Sequence, residues 1–443
     1  MTSVVIRGGT VVTPDGTHAV DVAIDDGTVT AIGPDLPAGL VEVNARDLVV
    51  LPGVIDVHVH FNEPGRASWE GAATGSRALA AGGGTCFLDM PLNSTPCVVD
   101  VEAFDAKRAA LEAAAITDFG IWGGLVPGRL EAMPGLAARG VCGFKAFMCG
   151  SGLAEFPRAD DATLLAGMRQ AAALGAIVAV HAESDELTRR PSAVDGADDV
   201  AAFLASRPVV AEVEAVQRAL LFAEETGARL HLVHLSSGRA VLLAAEARRR
   251  GVDVSIETCP HYLAFTEADV ERLGAVAKCA PPLRPAGVHT ALWQTLLDGH
   301  VDIVGSDHSP AEPALKTGTF ADAWGGIAGV QSTLAVLLDR GHHGRGLSLE
   351  RIAALTAHAP AARFGLARKG AIAVGYDADL TLVSPAEAFT LAAEHLHQRH
   401  PISPYVGQAF RGRVVRTLRR GAVLVDRGHV VASGGGRFVA PSR

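Results

Sequence analysis

Strand-length apolar runs alternate with helical stretches eight times in the middle of the chain, and this alternation restricts the possible folds more than any other feature. The segments between the runs space their apolar residues as helices do, as in 209–226 and 238–250. The apolar runs are 54–61, 85–90, 119–125, 142–148, 177–183, 229–235, 252–258 and 301–306. Eight strand–helix repeats predict a parallel sheet that closes into an α/β fold of the (β/α)8 TIM-like barrel type.

The two ends of the chain have a different pattern, with short strands and tight turns. IRGGTVV at 6–12 also resembles LRRGAVL at 418–424. Both observations favour one small β-sandwich domain formed by both termini, and two unrelated edge hairpins are the alternative. The predicted boundaries are 1–52 and 369–443 for the β domain and 53–368 for the barrel.

Composition excludes several classes of protein. The 443 residues carry a net charge of −9 without a basic stripe, which argues against a nucleic-acid partner. No apolar run of about 18 residues is present, so we expect no membrane partner. The six cysteines form no Cys-x-x-Cys pair, and the N-terminus lacks the layout of a signal peptide. We therefore expect a cytoplasmic protein.

Metal-ligand side chains stand at the C-terminal ends of several predicted strands, which is where barrel enzymes place their active sites. They are His58 and His60 on the first strand, Lys145 within the fourth, His181 on the fifth, His234 on the sixth and Asp307 on the eighth. Each has a simpler interpretation alone: a hydrogen-bonded polar group, a lysine reaching solvent, or a turn residue. Their recurrence at corresponding strand ends predicts a metal site. The long polar loops 92–100 and 184–208 suit loops that build such a site.

Successive side chains of a strand point in opposite directions, and this alternation selects between two histidines of the sixth apolar run. His231 and His234 differ by three positions, so in a regular strand they face opposite ways. We predict that His234, nearer the C-terminal end, is the ligand and that His231 packs outward.

The residue types indicate the chemistry. Imidazoles and a carboxylate bind Zn²⁺ or similar divalent ions, and four or five such donors suit one or two ions. Desolvation lowers the pKa of a buried lysine, and its neutral amine can react with CO₂. The resulting carbamate can bridge two cations, which at ~3.5–4 Å apart can share a hydroxide and polarise a carbonyl.

The chain that carries these residues resembles the cyclic amidohydrolases almost end to end. Within that family it most closely resembles the allantoinases. The segments that carry the resemblance are PGVIDVHVHFNEPGR (52–66), MPLN (90–93), GFKAF (143–147), ETCPHY (257–262), KCAPPLR (278–284), SDHSP (306–310), WGGIAGVQ (324–331) and SPYVG (403–407). The resemblance implies a barrel with a flanking β domain, a small cyclic amide substrate such as allantoin, and a homotetramer. It also implies two divalent ions, usually Zn²⁺ with Co²⁺, Mn²⁺ or Fe²⁺ as alternatives, bridged by carboxylated Lys145.

The resemblance further assigns a role to each predicted ligand. The roles are His58 and His60 on the more buried ion, Lys145 as the bridge, His181 and His234 on the second ion, and Asp307 as ligand of the first ion and catalytic base. A non-catalytic scaffold homologue is the alternative from a different class, and such a protein is expected to have lost ligands.

Three positions bear on the substrate. Asn62 stands where dihydroorotases usually have an arginine that binds the substrate carboxylate, and Ala311 stands where they tend to have a histidine. Gly150 stands where dihydropyrimidinases typically have a tyrosine. These departures favour the neutral, ureido-bearing allantoin, with the other cyclic amidohydrolases as alternatives. Asn93 and the backbone of Ala280 are the expected substrate contacts, although Asn93 is also typical of a turn.

Overall fold

The computed structural model describes residues 3–188 and 200–442. Its strands are β1 (Val4–Thr13), β2 (Gly16–Asp25), β3 (Thr28–Gly33), β4 (Val41–Asn44), β5 (Val49–Pro52), β6 (Val54–Val59), β7 (Gly84–Asp89), β8 (Asp118–Ile121), β9 (Gly123–Gly124), β10 (Phe144–Phe147), β11 (Ile177–His181), β12 (Arg229–Leu232), β13 (Val254–Thr258), β14 (Ile303–Val304), β15 (Leu380–Thr390), β16 (Ala409–Arg419), β17 (Ala422–Asp426) and β18 (His429–Val430).

The helices fall mainly between the strands of the middle region. They are α1 (Ala72–Ala81), α2 (Val101–Ala114), α3 (Met133–Arg139), α4 (Asp161–Ala173), α5 (Asp185–Thr188), α6 (Val200–Ala205), α7 (Val209–Thr226), α8 (Gly238–Arg249), α9 (Pro260–Ala264), α10 (Glu267–Leu273), α11 (Ala286–Leu297), α12 (Thr333–Val336), α13 (Leu349–Ala353) and α14 (Ala359–Phe364). None of these helices combines the length and mean hydropathy needed to cross a bilayer.

Strands β6 to β14 form the barrel. One parallel ladder runs β6-β7-β8 and a second runs β9 to β14. β8 and β9 are two parts of one strand, because residues on either side of Trp122 both bond to the segment that leads into β10. The ladder closes where the backbone N–H of His60 donates to the carbonyl of His308, 2.8 Å away. Within the described part of the chain, eight parallel strands therefore enclose the interior.

Alternate residues along the barrel strands belong to two different apolar cores. Phe87 of β7 and Val178 of β11 belong to the large cluster shared with the surrounding helices. Their neighbours Leu88 and Ala179 belong to a second cluster, which also contains Trp122. Because adjacent residues of a strand point to opposite faces, this second cluster fills the inside of the barrel.

The β domain joins both ends of the chain in one nine-stranded sheet, with the order β18-β17-β16-β15-β5-β1-β2-β3 and with β4 beside β1. A buried ion cluster ties this domain to the barrel: Lys369 Nζ lies 2.8 Å from Asp118 on β8 and 2.7 Å from Asp379, which directly precedes β15. The predicted fold class, a barrel with a β-sandwich domain from both termini, is confirmed. The exact domain boundaries stay a prediction.

Part of the predicted site loop 184–208 lies outside the described residues. Its described parts include α5, α6 and Arg207, whose side chain reaches the site. The other predicted site loop, 92–100, brings Leu92 and Asn93 to the same cavity.

Candidate active site

One cavity of about 390 Å³ opens at the C-terminal ends of the barrel strands. All eight residues predicted from the sequence line it: His58, His60, Asn93, Lys145, His181, His234, Ala280 and Asp307. They come from separate strands and loops, and the closed barrel brings them to one rim.

Three of the predicted metal ligands lie close together. Oδ1 of Asp307 lies 3.2 Å from Nε2 of His58 and 3.4 Å from Nε2 of His60. One ligand atom from each residue lies within 4.8 Å of the others. The pKa of Asp307 is held well below its usual value, because the neighbouring histidines outweigh the opposing effect of burial. The carboxylate is therefore ionised at neutral pH, as a metal ligand must be.

The backbone at Asp307 is left-handed, with φ of 44°. This conformation is uncommon for a non-glycine residue and is more stable where the surroundings hold it. His308 supplies that hold: its Nδ1 accepts from the backbone N–H of Gly329 (3.1 Å), and its Nε2 lies 3.3 Å from the buried carboxylate of Glu70. Both imidazole nitrogens of His308 are thus occupied, so His308 orients Asp307 and is not itself a ligand.

His181 and His234 form the second half of the predicted set. Their ring centroids are 4.6 Å apart, and His234 lies 5.4 Å from His58. Nε2 of His181 bonds to Glu183 at 2.8 Å, and Glu183 also pairs with Arg207. Burial lowers the pKa of His181 and of His234, so both rings are neutral and keep a lone pair for a metal.

Lys145 is fully buried and lines the same cavity as the four histidines. Its Nζ has no hydrogen-bond partner within residues 3–188 and 200–442. The same atom lies 4.9 Å from the ring centroid of Phe147. Burial lowers the pKa of Lys145 to about 8. A buried amine without a partner is costly, and that cost is removed if the nitrogen is converted into a metal-binding carbamate.

A buried carboxylate that the sequence analysis did not assign lies beneath these ligands. Oε1 of Glu257 accepts from Nδ1 of His58 (2.8 Å) and from the backbone N–H of His234 (3.1 Å). The histidines around Glu257 lower its pKa to about 2 although burial acts in the opposite direction. Its signals in the sequence are the position of a charged residue within an apolar strand and its place at the start of the segment ETCPHY.

The prediction that His231 packs outward is wrong. Its ring lies inside the barrel, stacked on Trp122 at a centroid distance of 6.3 Å, and its Nε2 bonds to Glu257 at 3.0 Å. The parity argument fails because β12 ends at Leu232, and His234 then adopts a left-handed φ of 42°. That turn rotates His234 back to the interior, so both histidines lie on the same side.

Both predicted substrate contacts line the cavity. Asn93 Nδ2 lies 3.5 Å from the hydroxyl of Ser309, and Ala280 belongs to the loop that follows Lys278. Asn62 is buried and donates to the carbonyl of Pro310 (3.3 Å), and it is not among the residues that line the cavity.

Besides Lys145, two cationic side chains among the described residues reach the cavity, and both are engaged by the protein. Arg207 pairs with Glu183. Lys278 Nζ donates to backbone carbonyls, including Phe320 (2.6 Å) and Ala323 (2.7 Å). These contacts commit both side chains to partners within the protein, which favours a neutral polar molecule over an anionic substrate in this cavity.

Comparison with known proteins agrees with this site. The profile of the Amidohydrolase family matches residues 49–424. The chain belongs to the amidohydrolase family. Among curated members, this amidohydrolase is 60% identical to an allantoinase of Solibacter usitatus, over 100% of this chain and 97% of that one. It is 55% identical to an allantoinase of Rubrobacter xylanophilus, over 99% and 98% of the two chains.

Solved structures give the same fold. The amidohydrolase chain superimposes on the L-hydantoinase (dihydropyrimidinase) of Arthrobacter aurescens with a TM-score of 0.96 and 33% identity, covering 99% of this chain and 100% of that one. The dihydropyrimidinase of Brevibacillus agri gives a TM-score of 0.92 and 33% identity, over the whole of both chains. The family implies a binuclear metal centre, and the cluster of His58, His60 and Asp307 is consistent with it.

Proposed function

We propose that this chain is an allantoinase, which hydrolyses the hydantoin-ring amide of allantoin to give allantoate. The observation that carries the proposal is its full-length identity of 55–60% to the two allantoinases named above. The chemistry of the cavity is compatible with this assignment, because the metal-ligand side chains surround a space that suits a neutral polar molecule.

The side chains at the rim fit a pair of divalent ions. We propose that His58, His60 and Asp307 hold one ion and that His181 and His234 hold the other. Lys145, carboxylated on its unpartnered Nζ, would complete the set as a shared ligand. Zn²⁺ suits these nitrogen and oxygen donors best, and Co²⁺, Mn²⁺ or Fe²⁺ are alternatives. The bound ions would supply an activated water and polarise the ring carbonyl.

The protein's own contribution to the reaction is proton transfer. Water adds its oxygen to the ring carbonyl, and the carboxylate of Asp307 takes the released proton. The ring C–N bond then breaks, and Asp307 returns that proton to the departing nitrogen. The left-handed backbone at Asp307, held through His308, keeps the carboxylate directed into the cavity throughout.

Substrate selection rests on what the cavity offers to a neutral molecule. We propose that the Asn93 amide and the backbone of Ala280 bind the polar edges of allantoin. Dihydroorotate would bring a carboxylate into a cavity whose Arg207 and Lys278 are already engaged. Leaving such a charge without a partner is unfavourable.

Comparison of substrates tests the assignment. Ring opening of allantoin, dihydroorotate and unsubstituted hydantoin is measured with the purified, metal-loaded protein. We expect allantoin to have the highest kcat/KM. A higher kcat/KM for dihydroorotate or hydantoin would overturn the allantoinase assignment and leave the amidohydrolase family membership intact.

We also propose that the protein is a cytoplasmic homotetramer acting in allantoin degradation, a part of purine catabolism. All six cysteines are buried and none forms a disulfide within the described residues, which suits a reducing compartment. Sedimentation velocity tests the assembly, and a monomer at micromolar concentration would contradict it.

A further inference from the structure

Glu257 connects three strands beneath the proposed metal centre. Its side chain projects from β13 into the barrel and is fully buried. Oε1 accepts from the imidazole of His58 on β6 and from the backbone of His234, which follows β12. Oε2 accepts from Nε2 of His231 at 3.0 Å. One carboxylate therefore contacts a proposed ligand of each ion.

The chain of hydrogen bonds ends inside the barrel. Beyond Glu257, Nδ1 of His231 lies 2.8 Å from the hydroxyl of Ser255, and its ring packs against Trp122 and Phe364. Among the described residues, Glu257 makes no ion pair with a lysine or an arginine; the side chains that bond to it are the imidazoles of His58 and His231.

This arrangement leaves a buried negative charge that needs a cation. An isolated carboxylate in an apolar interior is strongly unfavourable unless it is paired. A positive charge can compensate the carboxylate of Glu257 through the ring of His58. The other nitrogen of that ring, Nε2, lies at the proposed ligand cluster. A divalent ion held there would supply the positive charge.

The same contacts fix the orientation of two ligands. Because the carboxylate only accepts, His58 must carry its proton on Nδ1, which leaves the Nε2 lone pair free for a metal. The bond to the backbone N–H of His234 holds the turn at φ 42°, and this turn brings the His234 ring to the cavity.

We propose that Glu257 is a positioning residue of the metal centre: it sets the tautomer of His58 and the turn at His234, and its charge strengthens metal binding. The inference rests on the proposed function, because it requires that the site binds metal.

Glu257→Gln tests the role of the charge with little change in shape. The Gln carbonyl can still accept from His58, and its amide can donate to Nε2 of His231 if that ring moves its proton to Nδ1 and donates to Ser255. We expect Zn²⁺ affinity, measured against a competing chromophoric chelator, to fall about 10- to 100-fold. The absorption spectrum of the Co²⁺-loaded variant should also change.

Glu212→Gln is the matched control. Glu212 is also fully buried and accepts from the backbone N–H of Ser236 at 2.7 Å, but none of the contacts found for it is with a proposed ligand. We expect its Zn²⁺ affinity to stay within threefold of wild type. Equal affinity of Glu257→Gln and wild type would overturn the inference while leaving the proposed function intact. Absence of metal binding by wild type would instead overturn the proposed function.

A measurement on the unchanged protein covers the case in which Glu257→Gln does not fold. Histidine ¹⁵N NMR of the Zn²⁺-loaded wild type should show His58 protonated at Nδ1 and metal-bound at Nε2. Metal binding through Nδ1 would contradict the inference, because that nitrogen would then be unable to donate to Glu257.

Discussion

Replacing Asp307 by asparagine tests the proposed catalytic base. The substitution keeps the shape and one acceptor oxygen, so the left-handed turn held through His308 should be preserved. It removes the ability to take up and return a proton. General acid–base catalysis contributes about 10²- to 10⁴-fold to rate, which corresponds to ~2.7–5.4 kcal/mol of activation free energy.

The assay is the initial rate of allantoin ring opening at saturating metal, with metal content measured on the same sample. We expect kcat to fall by at least ~100-fold. The pKa of Asp307 is well below its usual value, so the wild-type carboxylate is ionised at neutral pH. Asparagine does not ionise, so raising the pH should not restore the variant.

Asp302→Asn is the matched control at the other end of the same strand. Asp302 accepts from the backbone N–H of Ile256 at 2.8 Å and pairs with Arg248, remote from the cavity. Its kcat/KM should stay within about threefold of wild type. An Asp307→Asn protein that carries a full metal complement and retains more than a tenth of wild-type kcat would refute the assignment of the base.

Three further predictions concern stability and binding. Lys369→Met leaves the buried carboxylates of Asp118, Asp377 and Asp379 without their shared cation, so the free energy of unfolding should fall by ~3–5 kcal/mol; an unchanged denaturation midpoint would contradict this. Asn93→Ala should lower kcat/KM for allantoin about threefold to tenfold, the effect of one hydrogen bond; no change would make Asn93 a turn residue only. Removing the metal with a chelator should lower Tm, because ligands of the native state stabilise it, and adding Zn²⁺ should restore it; identical melting curves would argue against a bound metal.

The sequence predicts the barrel well because its signal is local. The helical spacing at 209–226 and 238–250 corresponds to α7 (Val209–Thr226) and α8 (Gly238–Arg249). Apolar runs mark the strands because a barrel strand contacts the interior on one face and helices on the other. The ligand positions follow for the same reason, since strand ends in a barrel meet at one rim.

What the sequence does not predict depends on partners far apart in the chain. Glu257 and His58 are 199 positions apart, and no local pattern links them. The orientation of His231 was predicted wrongly because parity holds only while the backbone stays extended, and the left-handed turn at His234 cannot be read from the residue type. Glu183 likewise meets Arg207 only because the barrel closes.

The central claim is that two ions are held at one rim by side chains from separate strands, with Lys145 as their shared ligand. Crystals of protein grown in metal-replete medium, measured at the zinc absorption edge, test it most directly. We expect two anomalous peaks, one beside His58 and His60 and the other beside His181 and His234, with extra density on Nζ of Lys145. No anomalous signal at the rim, or rings of His181 and His234 turned out of the cavity, would contradict the account.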